Sequence, residues 1–515
     1  MTISVDIHPS SSTLCMINDP DTSTAYSLSG HVSISLSPDP SSSDRPSSSN
    51  RPLVQKVLLR SLTLIFEGQA ELITHETGYS AVRLCRLKRD LAPAHALLLT
   101  NDGHEDSDTP SVWNFVFDLP IPGWLPLSSV YGSAMGGMTG TSYALYAEAR
   151  FTPLEDGQHS RSWSLSSLCA PFIPRARSIS APRREIEILR YMIPAITDDA
   201  HPSPSPTFRN LQYRIQARSD LSQGQSDRPR IPADVFERIE VCALIPEYVD
   251  METGNFTLAL RLRSRGLSTR QRQRLRLSQF RLSLSQHEIY SRRVFRSYVS
   301  AYPLPSPQPD EEPLLNPHTL KGLFDMRLVS HNFLDEVHHR IRSFFSLLNE
   351  KQLARHELPD GGVSLEQDPE ITHEQIWTRV DVRVPFERFR PGQDEEWEDQ
   401  NGRLKALRPD GDSPFLRVYH DLEVELTFTY DGGDPEDGSE PCVERMCFCL
   451  PVKFTRVPPV VKAQNAAELD LPAYSQLFHS NGERRVDNMA PLPAYSPAES
   501  LGTTAIQAGQ KLNIS

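Results

Sequence analysis

The stretch SVWNFVFDLPIPGWLP, from Ser111 to Pro126, decides the fold. Trp113, Phe115 and Phe117 fall on every second residue, so in an extended chain they line one face. Pro120 and Pro122 then stop the strand, because proline has no N–H to give to a ladder. A strand with one aromatic face needs a second layer to cover it, and the neighbouring segments supply candidates. Downstream, TSYALYAEARF (141–151) alternates again and REIEILRYMI (184–193) reads as a further strand. Upstream, VQKVLLRSLTLIFEGQAEL runs largely in period two with a break at Gly68, and HVSISLS carries Val32, Ile34 and Leu36 on one side. Many short strands separated by turn residues predict an antiparallel β-sandwich over residues 10–193.

Residues 194–232 are rich in Ser, Pro, Asp, Gln and Arg and read as a polar linker. A second β-series follows over 233–460: RIEVCALIP, NFTLALRLRS, LRLSQFRLSLSQ, RVDVRVPF, FLRVYHDLEVELTFTY and RMCFCLPVKF. The fold class is therefore all-β, two tandem immunoglobulin-like antiparallel sandwiches. An insert at about 300–375 interrupts the second. Within it Leu334, Val337, Ile341, Phe344, Phe345 and Leu348 recur at helical spacing, which predicts a helix over 333–356. Residues 461–515 are Pro- and Ser-rich without apolar period, and read as a disordered tail.

Composition narrows the function. A net charge of −13 argues against general nucleic-acid binding, which needs positive surface against phosphate. Seven scattered cysteines do not form a secreted disulfide pattern. Cys447 and Cys449 read as part of a strand buried on both faces rather than as a metal clip, so no metal and no cofactor are expected. MTISVDIHPS lacks the basic and apolar regions of a signal peptide, and no stretch approaches the roughly 18–20 apolar residues that span a bilayer. The expected compartment is the cytoplasm.

Catalytic signatures are missing. No nucleotide-binding glycine pattern occurs; YGSAMGGMTG (131–140) lacks a following lysine and reads as a mobile loop. His373 opens an HExxH-like run without its second histidine, and His338 and His339 are adjacent rather than spaced by four. There is no GxSxG elbow. The chain reads as a non-enzyme.

Two charged motifs suggest partners. Eleven arginines and one carboxylate, Glu288, lie between Arg261 and Arg296. Arg261, Arg263, Arg272, Arg274 and Arg276 form a candidate patch for acidic lipids such as phosphoinositides or for phosphorylated tails, with a solvated strand face as the plain alternative. Arg177-Ser178-Ile179-Ser180-Ala181-Pro182 fits the R-S-x-S-x-P pattern of peptides that 14-3-3 proteins bind. Arg177 would recruit a basophilic kinase, phosphate on Ser180 would meet an arginine cluster in the partner, and Pro182 would turn the peptide away.

The order of these segments resembles the arrestin fold. The residues that carry the likeness are Tyr26 to Val32, LTLIFEGQAEL around Gly68, WNFVFDLPIPGWLP, TSYALYAEARF, RIEVCALIPEYV, SQFRLSLSQHEIY and SPFLRVYHDLEVELTF with His420. The ending, CLPVKF followed by LPAY at Leu471 and again at Leu492, is similar to that of the fungal α-arrestins, trafficking adaptors whose tails carry PY motifs. The resemblance implies that Leu471-Pro472 and Leu492-Pro493 present polyproline II ridges to WW domains, while Tyr474 and Tyr495 enter separate pockets. It implies a HECT-type ubiquitin ligase as WW partner and cytoplasmic tails of membrane transporters or receptors as cargo. The outcome would be ubiquitination and endocytosis, with peripheral recruitment to the plasma membrane or endosomes. Only eight lysines occur, and Lys453, Lys462 and Lys511 are the candidate ubiquitin acceptors by reach. An arrestin-like scaffold of fungal ambient-pH or receptor signalling, and a retromer-type coat subunit, are the alternative readings.

Overall fold

The computed structural model describes residues 2–37, 56–74, 78–101, 110–134, 137–154, 176–193, 208–218, 229–322, 340–349, 356–358, 362–365, 377–387, 406–431 and 440–458. The first half contributes β1 (Thr2–Pro9), β2 (Thr13–Ile17), β3 (Ala25–Ser37), β4 (Lys56–Thr74), β5 (Gly78–Asp90) and β6 (Leu97–Thr100). It continues with β7 (Ser111–Pro122), β8 (Ser129–Ala134), β9 (Gly137–Leu154), β10 (Arg177–Ser180) and β11 (Arg184–Tyr191). The second half opens with β12 (Asn210–Gln216), α1 (Ala233–Phe236), β13 (Ile239–Pro246), β14 (Val249–Asp250), β15 (Asn255–Ser264) and α2 (Thr269–Arg274). Then come β16 (Leu275–Ser291), α3 (Arg296–Ala301), β17 (Arg340–Ser346), β18 (His356–Glu357), β19 (Val363–Ser364) and β20 (Thr378–Pro385). The chain of strands ends with β21 (Gly411–Asp412), β22 (Leu416–Tyr430), β23 (Cys442–Val452) and β24 (Phe454–Thr455).

The protein is all-β, and its strands stack as two sandwiches. In the first, the sheet β1-β3-β7 covers the sheet β2-β11-β9-β4-β5, on which β6, β8 and β10 also pair. Inward residues of both sheets, among them Val32, Ile34, Phe66, Phe117 and Phe151, form one core. Fully burying a phenylalanine contributes about 1.5–3 kcal/mol, so the aromatic alternation read from 111–122 supports this layer directly. In the second, β12-β13-β15-β20 covers β17-β16-β22-β21, with β18, β19 and β23 alongside, around Leu258, Leu282, Leu284, Val424 and Phe428. Most pairs are antiparallel; β2 with β11 and β14 with β24 are parallel.

Gly68 marks a bulge, where the register of β4 against β5 shifts. A Cβ there would lie 2.5 Å from the Tyr143 ring, which explains the break in alternation. At the β8–β9 hairpin a Cβ on Gly140 would lie 1.9 Å from the Ser129 carbonyl oxygen, so only glycine lets the strands approach. The glycine-rich 131–140 stretch is thus mostly paired strand rather than a mobile loop.

The structure corrects several boundaries. The first sandwich begins at Thr2, not residue 10, because β1 pairs with β3 from Thr2↔Ser37 to Pro9↔Gly30. Within the expected linker 194–232, Asn210–Gln216 forms β12 on the edge of a sheet, its Leu211, Tyr213 and Ile215 turned to the second core. The expected helix 333–356 gives way to strand: Arg340–Ser346 and His356–Glu357 both pair with β16. Ile341, Ser343 and Phe345 also alternate, and the edge of the long strand β16 rewards that period over the helical one. Residues 333–339 and 350–355 lie outside the described residues, as does the whole tail 461–515. Cys447 and Cys449 are exposed on the outer face of β23, which is buried on one side only through Met446, Leu450 and Val452.

The two cores are not independent. Met1–Pro458 is one compact unit, and the first core contains Tyr290, Phe295, Tyr298, Phe415, Leu416 and Val418 from the second half.

Candidate functional site

Two buried polar networks stitch the halves together at this junction. The first is written in β4, where Glu67, Gln69 and Glu71 share one face by period two, and in Arg83 of β5. Over them lies the segment PSPQPDEEPLLNPH (305–318), from the second half of the chain. Its prolines cannot donate to a ladder, so its carbonyls need donors from elsewhere. Arg83, wholly buried, supplies them: Nη1 donates to the Pro307 carbonyl at 2.5 Å, and Nη2 to Glu312 and Pro313 at 3.0 and 2.8 Å. Its Nε donates to Glu67 at 2.9 Å. Glu67 accepts also from the Leu315 amide, Glu71 from the His318 amide and the Tyr79 hydroxyl, and Gln69 donates to the Asn316 carbonyl. Gln308 accepts from the Arg83 amide and donates back to its carbonyl, and Arg86 pairs with Glu312.

The second network repeats the pattern on β16. Its inward face is apolar at Leu282 and Leu284, polar at Gln286 and Glu288, and returns to the first core at Tyr290. Glu288 accepts from Gln286 at 2.7 Å, from Arg408 Nε at 2.8 Å and from the Tyr290 hydroxyl. Arg408 Nη1 crosses to the Val130 carbonyl of the first sandwich at 2.6 Å. His420, fully buried, lies 2.7 Å from Asp410 and 3.0 Å from Gln286, and Asp410 accepts from the Phe454 amide of β24. Beside the networks Trp124 stacks on Tyr302, and burial pushes the Tyr131 phenol up to about 12. The carboxylates here are occupied by amides, hydroxyls and guanidinium groups. This arrangement is suited to holding two sandwiches in one pose.

The sequence-derived arginine patch is dispersed. Arg261 and Arg263 lie on β15, Arg272 and Arg274 on α2, and Arg276 on β16 of the other sheet. Arg272 and Arg274 do not continue a strand face: Ser268 and Gln271 form a capping box that starts a helix there. Arg263 is turned inward, paired with Glu240 at 2.7 Å and stacked over Trp377 at 4.1 Å, so it is not offered to lipid.

Arg177, Ser180 and Pro182 are exposed, but Arg177–Ser180 is a strand paired with β9 rather than an open gap. The Ser178 hydroxyl donates to Glu148 at 2.5 Å, a bond that holds the Glu148 carboxyl below the usual range. Glu148 is also the register partner of Ser180, so phosphate there would face a like charge. Lys453 is exposed, with Nζ 5.5 Å from the Tyr248 ring. Leu471, Pro472, Tyr474, Leu492, Pro493, Tyr495, Lys462 and Lys511 lie outside the described residues.

Among the described residues no three His, Cys, Asp or Glu side chains are grouped to hold a metal ion, and no helix is long and apolar enough to cross a membrane. No family model matches the chain, and no curated protein matches it.

Proposed function

We propose that this chain is a non-enzymatic adaptor of the α-arrestin type, which brings a WW-domain ubiquitin ligase of the HECT class to the cytoplasmic tails of membrane transporters or receptors. The observation that carries the reading is the repeat Leu471-Pro472-Ala473-Tyr474 and Leu492-Pro493-Ala494-Tyr495, beyond the last strand of a double sandwich. In each copy a Leu-Pro pair precedes a tyrosine, the order of residues that a WW groove takes as a polyproline II ridge with the phenol in a separate pocket. Two copies let a tandem-WW protein hold on with raised effective concentration. The double sandwich, locked by two polar networks, supports the role of a rigid platform whose tail is read separately. Lys453, exposed just before β24, is the described lysine best placed to receive ubiquitin.

The test is capture of the full chain on an array of WW domains. Binding should persist in Tyr474→Ala and in Tyr495→Ala and be lost only in the double variant. A native chain that binds no WW domain, or a double variant that binds as well as wild type, overturns the proposal.

A further inference from the structure

The end of the β17-β16-β22 sheet nearest the junction carries a cationic and apolar surface that the functional reading above does not use. On the outer face of β17, Arg340, Arg342 and Phe344 alternate, all exposed. Register places Arg342, Ile289 and Arg417 in one row across three strands, and Phe344, His287 and Tyr419 in the next. The second row is a ladder of rings: His287 lies 4.8 Å from Tyr419 and nearly parallel, and 6.1 Å from Phe344. Phe344 is 73% exposed, an unusual state for a phenylalanine on a regular strand.

Around these rows the arginines gather. Arg292 and Arg293 directly follow β16, and Arg296 opens α3, one turn from Val299, which is 52% exposed. Arg340 and Arg417 both lie over the Phe295 ring, at 5.8 and 5.0 Å. Arg417 is held by Asp412, and Asp421 is bonded to His287. The guanidinium groups of the remaining five, Arg292, Arg293, Arg296, Arg340 and Arg342, have no hydrogen-bond or ion-pair partner among the described residues. In a chain of net charge −13, this is a local field of the opposite sign.

We propose that this face docks on an anionic lipid membrane, with the arginines against acidic headgroups and Phe344 and Val299 entering the interface. Guanidinium groups beside exposed apolar side chains suit that medium, because the interface solvates both at once. Of the arginine run read from the sequence, only its last members, Arg292, Arg293 and Arg296, belong to the surface. Arg340, Arg342 and Arg417 arrive from strands distant in the chain.

The experiment is flotation of the full chain with vesicles of phosphatidylcholine alone and of phosphatidylcholine doped with phosphatidylserine. Binding should appear only on the anionic vesicles and weaken as salt rises. Each arginine near such a surface is worth about fivefold in partition, so R340E/R342E should bind at least about 25-fold more weakly. R293Q/R296Q, which leaves the edge strand untouched, should lose a similar factor, and Phe344→Ser a smaller one. The Tyr474→Ala/Tyr495→Ala chain should bind vesicles as wild type does, so this test fails or succeeds apart from the WW reading. Equal binding to neutral vesicles, undiminished binding by R293Q/R296Q, or capture by soluble polyglutamate with no vesicle binding each overturns the proposal.

Discussion

Replacing Arg83 with Met tests whether the buried guanidinium fastens the 305–318 segment. Methionine keeps much of the volume and the unbranched stem but removes five donors. The Glu67 side chain, about 1% exposed, would lose its closer ionic partner and keep only Arg86 at 4.0 Å, and the carbonyls of Pro307, Glu312 and Pro313 would lose their donors. Removing one member of a buried ion pair costs about 3–5 kcal/mol, because the other is left charged without compensation. The cheapest relief is for the segment to lift and admit water to Glu67. At about 1.4 kcal/mol per decade, opening of the segment should become at least about 100-fold more frequent. Hydrogen exchange at the Leu315 and His318 amides, which donate to Glu67 and Glu71, reads this directly. Arg83→Met with Glu67→Met, which removes both charges, should recover part of the loss in chemical denaturation. Exchange at Leu315 and His318 within about threefold of wild type in Arg83→Met would refute the reasoning.

Two further outcomes follow from buried groups. Burial pushes Tyr131 up to about 12 and raises Tyr143 and Tyr298, so the folded state keeps phenol protons that the unfolded chain releases near pH 10. The associated stability is full below pH ~10 and is lost as pH rises towards about 12; circular dichroism across that range should show alkaline unfolding, delayed in Tyr131→Phe. A melt with no loss before pH ~12 would contradict it. For the thiols, burial pushes Cys85 up to about 12, so Cys85 and buried Cys242 should react with a thiol reagent only after unfolding. Exposed Cys447 is raised by partial burial, Glu425 and Glu423, and exposed Cys449 by partial burial, Asp421 and Glu423, so their native labelling should still accelerate beyond pH ~9; a plateau at or below that pH would count against this geometry.

Much of the fold was legible because the period of a strand is a local property. The aromatic alternation at Trp113, Phe115 and Phe117 and the long β22 stand where the sequence places them, and the break read at Gly68 coincides with a shift of register. Two missed strands carried the same signal: Ile3, Val5 and Ile7 in β1, and Leu211, Tyr213 and Ile215 in β12. Residues 340–346 satisfy both a helical and a strand period, and the choice belongs to β16, some fifty residues earlier. The LPAY repeat is legible for the opposite reason, since a linear motif needs no fold to be read.

What the sequence by itself determined is therefore the all-β class, the faces of most strands and the presence of the paired tail motifs. The tertiary structure alone decided which charges are available. Arg83 and Arg263 look like any other surface arginine in the chain, yet one is sealed under the 305–318 segment and the other against Glu240 and Trp377. Arg340 and Arg342 meet Arg292, Arg293 and Arg296 only when β17 pairs with β16. A side chain's charge is set by its chemistry, but its partner and its exposure to water are set by contacts between segments far apart in sequence.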